Sequence, residues 1–115
     1  MGLDILETAD VIEILENYIE EKRPPIELRK QVDLSYKIEN QSIIIFEIRS
    51  LWNNPKKSIE SPIAKTTFVK SKTHWKIFWM RADLKWHNYK PKPFVRTLNK
   101  FIELVEQDEY GCFWG

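Results

Sequence analysis

Val32-Asp33-Leu34-Ser35-Tyr36-Lys37-Ile38-Glu39, then Asn40-Gln41, then Ser42-Ile43-Ile44-Ile45-Phe46-Glu47-Ile48-Arg49, is the stretch that decides the fold. In its first half apolar and polar residues alternate strictly, the signature of a strand buried on one side. Asn40 and Gln41 mark a turn, and a second strand runs on through about Trp52. The loop length sets which residues face each other. A two-residue loop pairs Ile38 with Ile43 and sets Leu34 opposite Glu47. A three-residue loop pairs Ile38 with Ile44, Tyr36 with Phe46 and Leu34 with Ile48, which keeps one face apolar on both strands. The expectation is therefore the three-residue register, which also sets Asp33 opposite Arg49 as a favourable cross-strand pair.

Working outward, Val11, Ile12, Leu15, Tyr18 and Ile19 recur at helical spacing, and Asp10 with Glu13 reads as a capping box at the start of that helix. Lys22 and Arg23 suit its C-terminal end, and Pro24-Pro25 stop it. Asn53 to Pro62 reads as a polar loop and Ile63 to Lys70 as a third strand. A turn follows at Ser71-Lys72, then a fourth strand from Thr73 to Ala82. In that strand Trp75, Ile77 and Trp79 share one face, while His74, Lys76, Phe78 and Met80 share the other. Neither face is purely polar, so the strand is expected to be central or covered on both sides. Asp83 to Pro93 reads as an irregular link, and Phe94, Leu98, Phe101, Ile102 and Val105 as the stripe of a last helix from about Pro93 to Glu106. The expected fold is α+β: a four-stranded antiparallel sheet with an N-terminal and a C-terminal helix, in the order α-β-β-β-β-α. Its 115 residues suit one domain, residues 1–115.

One cysteine, Cys112, excludes an internal disulfide. The first residues are acidic where a signal peptide needs bases, and no apolar run approaches the roughly 20 residues of a membrane span. The expectation is a cytoplasmic protein away from membranes. Charge is segregated: residues 65–100 hold ten bases against one acid, Asp83. Such a block points to an anionic partner.

From Trp75 onward the residues Trp79, Arg81-Ala82-Asp83-Leu84-Lys85-Trp86-His87, Tyr89, Pro91, Asp108 and Gly111-Cys112-Phe113-Trp114-Gly115 are similar to a family of small bacterial proteins, domain of unknown function number three thousand and twenty-four. The resemblance covers residues 75–115 and implies no activity, cofactor or site.

Asp33 with Glu47-Ile48-Arg49 carries the residue types of a metal-dependent nuclease, in which carboxylates hold the cation and a base steadies the transition state. Arginine cannot give up a proton, however, and a solvent-side ion-pair ladder accounts for the same residues. His74, His87 and Cys112 lack the tight spacing of a zinc site. With only three glycines there is no phosphate loop, and no catalytic residue, metal ligand or cofactor is assigned. What remains is a binding module with a basic, tryptophan-rich surface made from Lys70, Lys72, Arg81, Lys85, Trp86, His87 and Lys90, for nucleic acid or another polyanion. The alternative is a protein-interaction or homodimerisation module without catalytic activity. Three local expectations complete the reading. Trp75, Ile77 and Trp79 lie beneath the helices. Asp83 pairs with Arg81, Lys85 or backbone N–H groups. Trp86 lies against the last helix or the Phe113-Trp114 tail.

Overall fold

A computed structural model of the chain describes residues 5–51 and 53–114. Trp52, the expected end of the second strand, lies outside the described residues, as do residues 1–4 and Gly115. The elements are α1 (Ile5–Lys22), β1 (Val32–Glu39), β2 (Ser42–Leu51), β3 (Asn54–Val69), β4 (His74–Met80), β5 (Trp86–Asn88), β6 (Phe94–Val95) and α2 (Leu98–Gln107). The fold is α+β, with two helices on an antiparallel sheet. The sheet has six strands instead of the expected four, in the order β1-β2-β3-β4-β5, with β6 also pairing with β4. The two extra strands are three and two residues long, too short to leave a periodic signal.

The first hairpin takes the two-residue loop, so the expected register is overturned. Ile38 faces Ile43, Leu34 faces Glu47, and Asp33 faces Ile48 instead of Arg49. Asn40 has φ +54°, the left-handed backbone that tight hairpin turns require and asparagine tolerates. Keeping one face apolar did not decide the register, because β2 is buried on both faces: Ile43, Ile44, Ile45 and Phe46 are all inside. Ile43 and Ile45 join the core under the helices, while Ile44 and Phe46 fall on the opposite side. Glu47, set opposite Leu34, is accommodated by an ion pair with Arg49 at 3.0 Å.

Three other boundaries move. Helix α1 already includes Ile5, so Asp10 lies within it and caps nothing; Leu6, Glu7 and Ala9 are good helix formers that carry the helix past Asp10. Strand β3 includes most of the expected loop, and Pro62 is accepted beside an irregularity in its pairing with β2. Helix α2 starts at Leu98, where Thr97 Oγ1 accepts from Lys100 N at 3.2 Å. Pro93 cannot open it, because the Pro93 carbonyl accepts from Ile77 N at 2.9 Å and Phe94 pairs with Lys76.

The core lies between the helices and one face of the sheet. Leu15, Ile43, Ile45, Ala64, Ile77, Phe101 and Val105 are fully enclosed. Trp75 and Ile77 pack beneath the helices as expected, and Trp79 is half-buried at the rim of the same cluster. Ile12, expected on the apolar stripe of α1, is instead exposed. Thr66 is the buried polar residue among those described, and its hydroxyl donates to Lys76 O at 2.7 Å. Strand β4 is central. Its free edge is closed by β5 along one half and β6 along the other, and Tyr89 between them, 2% exposed, donates its backbone N–H to Ile77 O. No described helix is long and apolar enough to cross a membrane.

Candidate nucleic-acid interface

Directly paired residues share a sheet face, so the register fixes which side chains lie opposite the helices. On that outer face run Lys65 and Thr67 of β3, His74, Lys76, Phe78 and Met80 of β4, Trp86 and Asn88 of β5, and Phe94 of β6. None of these is acidic. Farther out, Lys37 and Lys65 flank Ile44, which is only 7% exposed although both helices pack on the other side. Long lysine stems cover apolar surface in this way while the ammonium stays in water.

Aromatic rings and ammonium groups interleave along β4. Lys65 Nζ stands 5.4 Å from the Phe78 ring centroid and 5.8 Å from that of Trp86. Lys76 Nζ is 5.8 Å from Phe78. Phe94, 47% exposed, stacks on His74 at 4.3 Å. Among the described residues no carboxylate lies within ion-pair distance of Lys65 or Lys76. By register the row Phe94, Phe78, Trp86 runs from Lys76 to Met80, roughly 13 Å along β4.

The seven residues singled out from the sequence do not form one patch. Lys70 and Lys72 sit in a 3-10 turn at the His74 end of β4. Lys85 and Trp86 sit at the Met80 end, so these four bracket the outer face. Arg81, His87 and Lys90 instead line a cleft on the helix side with Trp79 and Tyr110. Trp86 does not touch the tail as expected; its outward register puts it under Lys65, and Phe113 packs on Tyr89 at 5.0 Å. Between the bracketing residues stand Lys65, Lys76, Phe78 and Phe94, which the sequence reading left out. The period-two set His74, Lys76, Phe78, Met80 signals Lys76 and Phe78, whereas Lys65 and Phe94 join them only through the strand register.

Asp83 has the expected kind of partner and one more. Its Oδ1 accepts from Lys85 N at 3.0 Å, and its Oδ2 lies 2.8 Å from His87 Nε2. His87 first, and then the Lys85 N–H, hold the Asp83 carboxyl below its ordinary range. These bonds close a tight turn in which Leu84 takes φ +61°.

The nuclease-like constellation is broken. Asp33 lies on the outer face and Glu47 and Arg49 on the inner one, since Glu47 pairs with Leu34. Asp33 is engaged by Arg23, while Arg49 is engaged by Glu47. Among the described residues no three of His, Cys, Asp and Glu stand together as metal ligands would. Burial first, and the nearby Asp108 second, push the Cys112 thiol up, which dulls it as a nucleophile.

Neither a curated protein nor a solved structure matches the chain. A family model does, and it reaches far beyond the C-terminal stretch that carries the resemblance in the sequence, from residue 3 to residue 115. The chain therefore belongs to the family described as Domain of unknown function (DUF3024).

Proposed function

We propose that the chain is a binding module whose outer sheet face takes single-stranded nucleic acid. The observation that carries this reading is the row Phe94, Phe78 and Trp86 along β4, with Lys65 and Lys76 beside the rings and no acid on that half of the face. A single strand exposes the flat faces of its bases, which stack on aromatic side chains, and its phosphates are met by lysines. A duplex hides those base faces. Lys70 and Lys72 at one end and Lys85 at the other extend the positive track. Other polyanions share the charge but not the planar bases, so they use the lysines and leave the rings idle.

The competing reading is a protein-interaction or homodimerisation module. It fits this face poorly in the homodimer form. Two copies closing here would bury Lys65 and Lys76 without an acidic partner on the same surface, which costs several kcal/mol per unpaired ion.

The test is fluorescence anisotropy with a labelled oligothymidylate, its duplex with oligoadenylate, and polyphosphate as competitor. The reading expects the single strand to bind more tightly than the duplex and polyphosphate to displace it only at high concentration. Absence of binding, or equal binding of strand and duplex, would overturn it.

A further inference from the structure

The inner side of the β4–β5 corner holds a cleft of about 470 Å³, lined by Trp79, Arg81, His87, Asn88, Lys90 and Tyr110, with Pro91 and Cys112 completing the wall. Its volume falls within the roughly 300–1,000 Å³ of small-ligand sites. It lies on the opposite side of the sheet from the Phe78 and Trp86 rings, so it is a different surface from the proposed strand-binding face.

Three features of its lining point the same way. First, Arg81 and Lys90 bring two cations, and none of the lining residues is acidic. Of the acids near the lining in sequence, Asp83 is occupied by His87 Nε2 and Lys85 N, Asp108 by the Phe113 and Trp114 N–H groups, and Glu109 beside Tyr110 is exposed. Second, the Arg81 guanidinium lies over the Trp79 ring at 5.4 Å. That cation–π contact restrains the planar fork, and a held fork matches the oxygens of a phosphate in two-point fashion. With Nε2 tied to Asp83, the other ring nitrogen of His87, Nδ1, has no partner among the described residues. Third, Tyr110, which lines the cleft, is exposed. An exposed tyrosine ring offers a flat apolar surface.

We propose that this cleft binds a small phosphate monoester carrying a planar ring, a ligand of the nucleoside-monophosphate class. Arg81 and Lys90 hold the phosphate, and Tyr110 covers the ring. The proposal does not depend on the outer face binding a strand.

The experiment is isothermal titration of the full chain with adenosine 5′-monophosphate, adenosine and inorganic phosphate separately. The monophosphate is expected to bind at least tenfold more tightly than either half. Arg81→Ala and Lys90→Ala should each weaken it about tenfold, Arg81→Lys should weaken it nearly as much because the fork is lost, and Lys65→Ala should leave it unchanged. Thermal melts identify any variant that fails to fold, and Arg81→Lys keeps the charge should Arg81→Ala unfold. No binding of the monophosphate, equal binding to folded Arg81→Lys and Lys90→Ala variants, or loss of binding in Lys65→Ala would each overturn the proposal.

Discussion

Arg23 and Asp33 form a two-point ion pair: Arg23 Nη2 reaches Asp33 Oδ2 at 2.8 Å and Arg23 Nε reaches Oδ1 at 3.0 Å. The pair ties the end of α1 to the start of β1, and the parallel geometry of guanidinium and carboxylate is the strong form of such a contact. The Arg23 hydrogen bonds, aided by the Leu34 N–H, hold the Asp33 carboxyl below its ordinary value of 3.8 against a smaller opposing effect of burial. A carboxyl with a depressed folded value contributes stability above its unfolded value and loses it as pH falls through the folded one. Asp33→Asn is therefore expected to flatten the loss of stability in acid below about pH 5. Urea melts across that range check it; wild-type and variant curves that stay parallel would contradict the pairing.

Trp75 and Trp79 share a face but not an environment. Trp75 is 7% exposed within the core and tilts against Phe68 at 5.0 Å, whereas Trp79 is half-buried at the cleft with Arg81 over it. Trp75→Ala should cost about 3–5 kcal/mol, as large core deletions do. Trp79→Ala should cost clearly less, because part of its ring already meets solvent. Denaturant titration of both variants ranks them, and a larger loss for Trp79 would move the centre of the core.

Asp108 fastens the tail. It ends α2 in left-handed backbone, φ +40°, and its carboxylate accepts from Phe113 N at 3.0 Å and from Trp114 N at 2.8 Å. Asp108→Ala removes both acceptors and leaves alanine in left-handed backbone, where asparagine or aspartate is better tolerated. A loss of about 1–3 kcal/mol is expected, with Asp108→Asn intermediate because its amide oxygen keeps one of the two acceptors and its NH2 cannot accept the other N–H. Equal melting of the two variants would show that the tail is held by Phe113 and Trp114 packing alone.

The fold was legible wherever one period dominated. The alternation Leu34, Tyr36, Ile38 and the helical stripes Val11–Leu15–Tyr18–Ile19 and Leu98–Phe101–Val105 all mark residues that face the core. It was illegible where burial is two-sided or the element is very short. Ile43 to Phe46 is apolar on both faces, so patterning could not choose the register and the Asn40 turn did. Strands β5 and β6 exist because the edge of β4 needs partners for its backbone, a demand that no local composition announces. The candidate site was half legible for the same reason. The basic block and the shared face of Lys76 and Phe78 were plain, but only the register adds Lys65 and Phe94 to that face and turns His87 away from it.

Phe78 and Trp86 should matter for binding more than for folding, since both stay half-exposed on a face without a helix. Phe78→Ala and Trp86→Ala are each expected to weaken a single strand by about 1–3 kcal/mol, the worth of one stacked base. Melting should fall by much less than in Trp75→Ala. A variant that binds as wild type while folded would remove its ring from the proposed track.

The most direct measurement of the strand-binding claim is the affinity for oligothymidylate between about 50 and 200 mM salt, for the wild type and for Lys65→Ala and Lys76→Ala. Each phosphate contact adds about 0.7 to the steepness of log affinity against log salt for a single strand. A steep wild-type dependence that falls by about 0.7 in each variant is the expected result. Binding that ignores salt, or slopes unchanged by removing Lys65 and Lys76, would contradict it.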